Sequence, residues 1–318
     1  MNFIREYEEK LGHRPFWFMR QSGRYLKEYH DIRNQYGINF AFRNPEAIIK
    51  LTELPLKYFN PDFLILYTDI LLSLNLLGMD VDYEENLKIK SIESAGTELK
   101  KTFKESVEAI KKHFPEKPLM GITGGPFTLM SYVYDGHGND YFKTKKEIIE
   151  KGDKIEGFVD ASYNFAKFQL DSGCDIVQIF ESWVGNMSPA DYLDFLHPYE
   201  NMLIEKLRLL NKPIIFFGRN THHLLKYIVE LRFHVLGLDW NYDLYELSKE
   251  YPWLSVQGNL DPSYLFLENN NLENKVIETL RLGSRFQGHI FNLGHGVPPN
   301  ADVNKLILIS KVIGNYEK

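Results

Sequence analysis

The run Phe18-Met19-Arg20-Gln21-Ser22-Gly23-Arg24-Tyr25 sets two guanidinium groups four positions apart, with a glycine between them. On a helix Arg20 and Arg24 would share a face and repel, and Gly23 disfavours a helix there. A loop offering both arginines to an anion removes both objections, because a guanidinium pairs with a carboxylate through two parallel N–H donors. Ordinary surface salt bridges are the plainer reading of the same spacing. Asp69 ends the apolar run FLILYT, where a carboxylate needs partners to stay ionised. It reads equally as the N-cap of the following ILLSLNLL. His295 stands between Gly294 and Gly296, a pattern that lets backbone approach a ligand and exposes the imidazole, or that simply makes a turn. Tyr132, in PFTLMSY, reads as a helix aromatic packed in the core, and Ser182, after IVQIFE, as a turn residue.

Other chemistries lack their signatures. There is no G-x-x-x-x-G-K-[ST] phosphate loop, and Gly124-Gly125 is followed by proline rather than lysine. No H-E-x-x-H or G-x-S-x-G occurs. His222 and His223 are adjacent and point apart rather than toward one metal. The residues give no specific sign of a metal, nucleotide or acyl-enzyme route.

The elements that must position these residues follow a loose repeat of apolar run, turn and amphipathic helix. Eight runs recur: 63–67, 79–83, 119–123, 176–180, 214–218, 235–239, 254–258 and 289–293. Several are apolar on both faces, as strands of a buried parallel sheet are. The run 79–83, MDVDY, alternates and fits a hairpin as well. Helical spacing appears over 189–210, 224–232, 272–281 and 303–312, with Ser188 an N-cap and Pro189 the first helical residue. Strands alternating with helices imply a closed barrel or an open doubly wound sheet. No G-x-G-x-x-G follows the first strand, so the expectation is α/β, a single (β/α)8 TIM-type barrel over 1–318. Polar residues follow the runs at Thr68-Asp69, Thr123-Gly124, Glu181-Ser182, Arg219-Asn220, Asp239, Asn259–Asp261 and Gly294-His295. In a barrel those ends share one rim, and the first and last strands lie side by side.

Composition narrows the partners. The 318 residues carry a formal charge of −6, which argues against nucleic acid but not against an anionic small molecule. One cysteine, Cys174, cannot make an internal disulfide or a Cys-rich zinc site, which fits a reducing cytoplasmic setting. The stretch 63–79 is too short and too polar to span a bilayer, and the N-terminus lacks a signal-peptide core. No membrane association is expected.

The stretches FMRQSGRYLKEY, FLILYTDIL, GGPFTLMSY, VQIFESWVGNMS, GLDW, VQGNLDP and IFNLGHGVPP, in this order, resemble the uroporphyrinogen decarboxylase family from about Arg14 to Val312. The resemblance implies a (β/α)8 barrel, usually a homodimer with facing clefts, that converts uroporphyrinogen to coproporphyrinogen without a cofactor. It places Arg20, Gln21, Ser22, Gly23 and Arg24 on the substrate and Asp69 against the pyrrole nitrogens. Tyr132, Ser182 and His295 complete the pocket, with Arg33 and Phe180 softer members; Asp69, Arg20 and Tyr132 carry the chemistry. The substrate's own pyrrole becomes the electron sink once its ring carbon is protonated, so the intermediate is cationic and a fixed carboxylate would stabilise it. Departures from the family pattern are Lys27 for proline, Gly125 for alanine, Phe127 for tryptophan and a shortened stretch after MDVDYE. Two readings compete: a zinc-dependent, cobalamin-linked methyltransferase of the wider superfamily, for which only Cys174 could supply a thiolate, and a tetrapyrrole-binding paralogue without turnover.

Overall fold

The computed structural model describes residues 3–83, 88–91, 96–136 and 141–316. It divides into two compact units: Met1–Gln35 with Lys50–Leu64 and Val235–Lys318, and Tyr36–Ile49 with Ile65–His234.

In the second unit the apolar runs become the parallel strands Leu119–Gly124, Ile176–Glu181 and Ile214–Gly218. Gly121 pairs with Val177 and Gly124 with Phe180, while Val177 pairs with Ile214 and Glu181 with Gly218. Leu66 N donates to Met120 O at 2.9 Å, which ties the end of FLILY to the first of these strands. The helix Ile155–Asp171 buries Ile155, Phe158, Val159, Ser162, Phe165, Ala166 and Gln169, an apolar stripe at three- and four-residue spacing. Each large side chain removed from water contributes about 1.5–3 kcal/mol. Ser162 and Gln169 are the polar exceptions; Ser162 Oγ donates to Gly124 O at 2.6 Å. Gln169 Oε1 accepts from Ile122 N at 2.9 Å and its Nε2 donates to Ile122 O at 2.8 Å, so the buried amide is satisfied by the strand it packs on.

The first unit repeats the theme with Val235–Gly237, Ser255–Gln257 and Gly288–Ile290, again parallel. Its core includes Leu272, Val276 and Leu280 of the helix Asn269–Gly283 and Leu306, Ile309 and Ile313 of the helix Val303–Asn315. Both helices were expected from periodicity, and each is slightly longer than its apolar stripe.

Three expectations change. The run MDVDY forms an antiparallel hairpin, Met79–Asp82 with Lys88–Ser91, rather than a parallel strand, because its alternation satisfies only one buried face. The stretch that follows it overlaps 84–87 and 92–95 and so lies partly outside the described residues. The last strand does not lie directly beside the first: Phe16 bridges Phe291, and Asp62 N donates to Phe16 O at 3.0 Å, so the N-terminal segment occupies that place. Finally, 189–210 is not one continuous α-helix. Ser188 caps it by accepting from Asp191 N, as expected, but a π-helical turn, Tyr192–Leu196, interrupts it where Pro198 withholds an N–H donor.

Candidate active site

Parallel strands place their carboxyl ends together, and in each unit the chemistry-bearing residues sit there. Of the nine residues expected at the site, Arg20, Gln21, Ser22, Gly23, Arg24 and His295 fall in the first unit and Asp69, Tyr132 and Ser182 in the second.

In the first unit, the loop after Phe16 folds against the loop after Gly288–Ile290. Met19 N donates to Asn292 Oδ1 at 2.9 Å and Val297 N donates to Met19 O at 2.8 Å. Arg20 adopts a φ of 62°, a left-handed conformation that a non-glycine residue holds only when its surroundings fix it. A Cβ on Gly296 would lie 2.4 Å from Arg20 Cδ, so this glycine makes room for the arginine stem. A Cβ on Gly294 would lie 2.3 Å from Trp240 N, so the GHG turn packs directly on the GLDW segment. His295 meets the Trp240 ring edge-on at 6.1 Å between centroids. Arg20 and Arg24 are both exposed residues.

The intervening residues serve the loop. Gln21 is buried; its Nε2 donates to Phe63 O at 3.1 Å and its Oε1 accepts from Phe18 N at 3.3 Å, so its amide is engaged inside the protein. Gly23 lies where a Cβ would come within 2.7 Å of Arg20 O. Ser22 Oγ is shielded from solvent with no hydrogen-bond partner, a buried hydroxyl available to a ligand oxygen. Arg33 lies 5.6 Å from the centroid of Tyr29. The QGNLDP motif is scaffold: Gln257 Oε1 accepts from Trp17 Nε1 at 2.9 Å, and Asn259 Nδ2 donates to Asp239 O and Tyr242 O at 2.9 and 2.8 Å. Asp261 caps the short 3-10 helix Pro262–Phe266.

In the second unit Asp69 is both a cap and a rim carboxylate. One oxygen accepts from Leu71 N at 2.8 Å at the start of the 3-10 helix Ile70–Leu77, which fixes the side chain's direction. Tyr83 lies beside it, its phenol pushed well above the ordinary range by burial first and then by the Asp69 charge, against the opposing charge of Arg43. Phe42 stacks on Tyr67 at 5.1 Å and meets Tyr83 at 5.0 Å, so the phenol beside Asp69 belongs to a cluster of aromatic rings. Thr68 Oγ1, the neighbour of Asp69, is buried without a hydrogen-bond partner. Sequence reasoning missed Tyr83 and Arg43. Their signal was the alternating MDVDY run, whose Asp80 pairs with Arg43.

Tyr132 is carried by the helix Pro126–Tyr134 and contacts Trp183 at 6.4 Å between ring centroids; Trp183 follows Ser182 directly. Tyr141 stacks on the same Trp183 at 5.5 Å, and the Arg219 guanidinium lies 5.7 Å from the Trp183 ring centroid. Phe180 packs edge-on against Phe217.

Cys174 is buried, and burial raises its thiol well above the ordinary range, so it is held as a neutral core residue beside the strand Ile176–Glu181. His222 and His223 are nearly perpendicular, and His223 Nε2 is taken by Met187 O. Among the described residues no group of three His, Cys, Asp or Glu side chains is placed to hold a metal ion. Among them, too, no helix is long and apolar enough to cross a membrane.

Comparison with known proteins identifies the family. The model of the uroporphyrinogen decarboxylase (URO-D) family matches residues 6–316. Uroporphyrinogen decarboxylase of Aquifex aeolicus is 32% identical, over 97% of this chain and 95% of its own. That of Staphylococcus haemolyticus is 34% identical, over 97% and 95%. Among solved structures, a methyltransferase from Methanosarcina mazei superposes with a TM-score of 0.75 at 17% identity, covering 97% of this chain and 96% of that one, which shows a shared fold alone. The fold class is the expected α/β, TIM-type barrel class, and the chain belongs to the uroporphyrinogen decarboxylase family.

Proposed function

We propose that this protein is a uroporphyrinogen decarboxylase, a carboxy-lyase of heme and tetrapyrrole synthesis that converts the four acetate arms of uroporphyrinogen to methyls. Family membership along nearly the whole chain supports the reaction. The observation that carries the mechanism is Asp69: a carboxylate whose direction is set by Leu71 N and which lies beside the phenol of an aromatic cluster.

Protonation of a pyrrole ring carbon makes the ring cationic. The bond from the acetate methylene to its carboxylate then breaks, its electron pair enters the ring, and CO2 departs. A proton delivered to the methylene carbon and another lost from the ring carbon restore the aromatic pyrrole with a methyl arm. No external electron sink is required for this sequence. Asp69 acts where positive charge develops, at the ring N–H groups, and a carboxylate already oriented by its cap loses little on reorganising. Arg20 and Arg24 hold the acidic arms, with Ser22 and His295 as further donors, so that one arm at a time is presented. By resemblance to the family, Tyr132 and Ser182 contribute hydroxyls to the substrate. Protonation by a guanidinium is disfavoured by its very high pKa, so a positioned acid or water delivers the proton.

The same reading includes one functional domain over 1–318, a cytoplasmic location, a homodimer and no cofactor. Incubation with uroporphyrinogen followed by chromatography of the products tests it. Coproporphyrinogen should accumulate. Bound but unconverted uroporphyrinogen would instead mark a binding paralogue, and stoichiometric zinc in the purified protein would favour the methyltransferase chemistry.

A further inference from the structure

Two carboxyl groups in the second unit have no part in the mechanism above and yet are wholly buried. Glu181 ends the strand Ile176–Glu181, and Glu200 lies on the helix His197–Arg208. Their surroundings differ. Glu181 Oε1 accepts from Phe127 N at 2.8 Å, and its Oε2 accepts from Thr128 N at 2.9 Å and from Thr128 Oγ1 at 2.7 Å. Thr128 Oγ1 itself accepts from Trp183 N at 3.3 Å, which leaves its hydrogen for Glu181. Every partner of Glu181 is a donor, the set that suits an ionised carboxylate. Glu200 receives one bond, from the Tyr192 hydroxyl, and its Oε1 has no hydrogen-bond partner. A buried carboxyl with so little support keeps its proton.

The location of Glu181 has a consequence. Phe127 and Thr128 are the second and third residues of the helix Pro126–Tyr134, whose N-cap is Gly125, a residue with no side chain to cap it. Glu181 supplies the missing cap from the neighbouring strand. A Cβ on Gly125 would lie 2.2 Å from Glu181 Cδ, so the glycine leaves the space the carboxylate uses. Tyr132 stands four residues beyond Thr128, on the same helix face, and its ring meets Trp183, two residues beyond Glu181. The helix and the strand end are therefore joined twice, at the cap and at the aromatic contact.

We propose that Glu181 is a positioning residue: through its three hydrogen bonds it clamps the first turn of the Tyr132 helix to the strand end that carries Ser182, and so sets the Tyr132 hydroxyl for the reaction. Burial raises the proton affinity of both acids, and the Glu181 charge raises that of Glu200 further, in agreement with the proton residing on Glu200. The proposal rests on Tyr132 acting at the site as described under Proposed function.

The test is a double-mutant cycle on the full chain, with coproporphyrinogen formation and thermal midpoint measured for each variant. Glu181→Gln should fold and lose ~10–100-fold in kcat with KM little changed, the cost of a misplaced group rather than of lost binding. Combined with Tyr132→Phe, it should slow the enzyme no further than Tyr132→Phe alone, because there is no longer a hydroxyl to place. Glu200→Gln, which imitates the neutral acid, should keep the wild-type rate. If Glu181→Gln does not fold, Thr128→Val, which removes only the hydroxyl donor, should give the same non-additivity with a smaller loss. Fully additive losses, or a wild-type kcat in Glu181→Gln, overturn the proposal, as does a wild-type kcat in Tyr132→Phe. An inactive wild-type chain would instead overturn the reading of the reaction itself.

Discussion

The site residues of the first unit and those of the second are held by different means. Around Arg20 the work is done by neutral groups: Asn292 Oδ1 accepts Met19 N, Val297 N donates to Met19 O, and Gly296 gives the arginine stem its space. In the second unit the positioning groups are themselves carboxyls. Asp69 caps the 3-10 helix Ile70–Leu77, and Glu181 caps the helix Pro126–Tyr134 from inside the core. The difference follows from what each must do. Cations meant for a polyanionic substrate are best held by a scaffold that does not neutralise them. A carboxylate meant to meet a transient cation gains by being fixed through its own hydrogen bonds.

The contrast can be broken from either side. The largest effect is expected from Asp69→Asn. Asparagine caps a helix about as well as aspartate, so the fold and the Leu71 N bond should survive while the charge is lost. Turnover should fall by ~100–1,000-fold with the thermal midpoint nearly unchanged; a variant keeping most of the wild-type rate would remove Asp69 from the mechanism. Next comes Arg20→Ala, for which a lost charge-assisted bond predicts a fall of ~10–100-fold in kcat/KM. Unaltered steady-state kinetics would mean that the guanidinium does not meet an acidic arm. Asn292→Ala tests the neutral scaffold. It orphans Met19 N, which should cost about 2 kcal/mol in urea unfolding and lower kcat/KM through Arg20. Loss of stability without any change in kinetics would separate the scaffold from the arginine.

The smallest effect is one of pH. The Glu181 carboxyl is raised from 4.5 to about 7 and that of Glu200 is raised well above its ordinary value, each by burial first. Between about pH 4.5 and 7 the folded chain keeps protons that the unfolded chain has shed, so these groups make stability fall as pH rises through that window. Urea unfolding near pH 5 and near pH 8 should show the decline, and Glu200→Gln, with one acid fewer, should flatten it. Equal slopes for the two proteins would place the buried charge elsewhere.

Much of this was legible beforehand. Runs apolar on both faces fit buried strands, and 119–123, 176–180 and 214–218 are strands within a residue of those bounds. The cap at Ser188 and the loop nature of Arg20 to Arg24 followed from local chemistry. The hairpin at Met79–Asp82 shows the limit: alternation says that one face is buried, not which strand lies alongside. Gln21 shows another, because nothing in its neighbours announces that its amide is spent on Phe18 N and Phe63 O.

By itself, the order of residues determined the strand and helix types, the family and the presence of two arginines, an aspartate and a glycine-flanked histidine, because these depend on periodicity and short-range sterics. Only the tertiary structure decided which groups meet. Phe16 lies against Phe291, Glu181 caps a helix that begins 55 residues earlier, and Glu181 and Glu200 share an interior. Burial and hydrogen bonding across such separations are set when strands pack side by side; burial raises the proton affinity of both glutamates, and the donors of Phe127 and Thr128 oppose that rise at Glu181 alone.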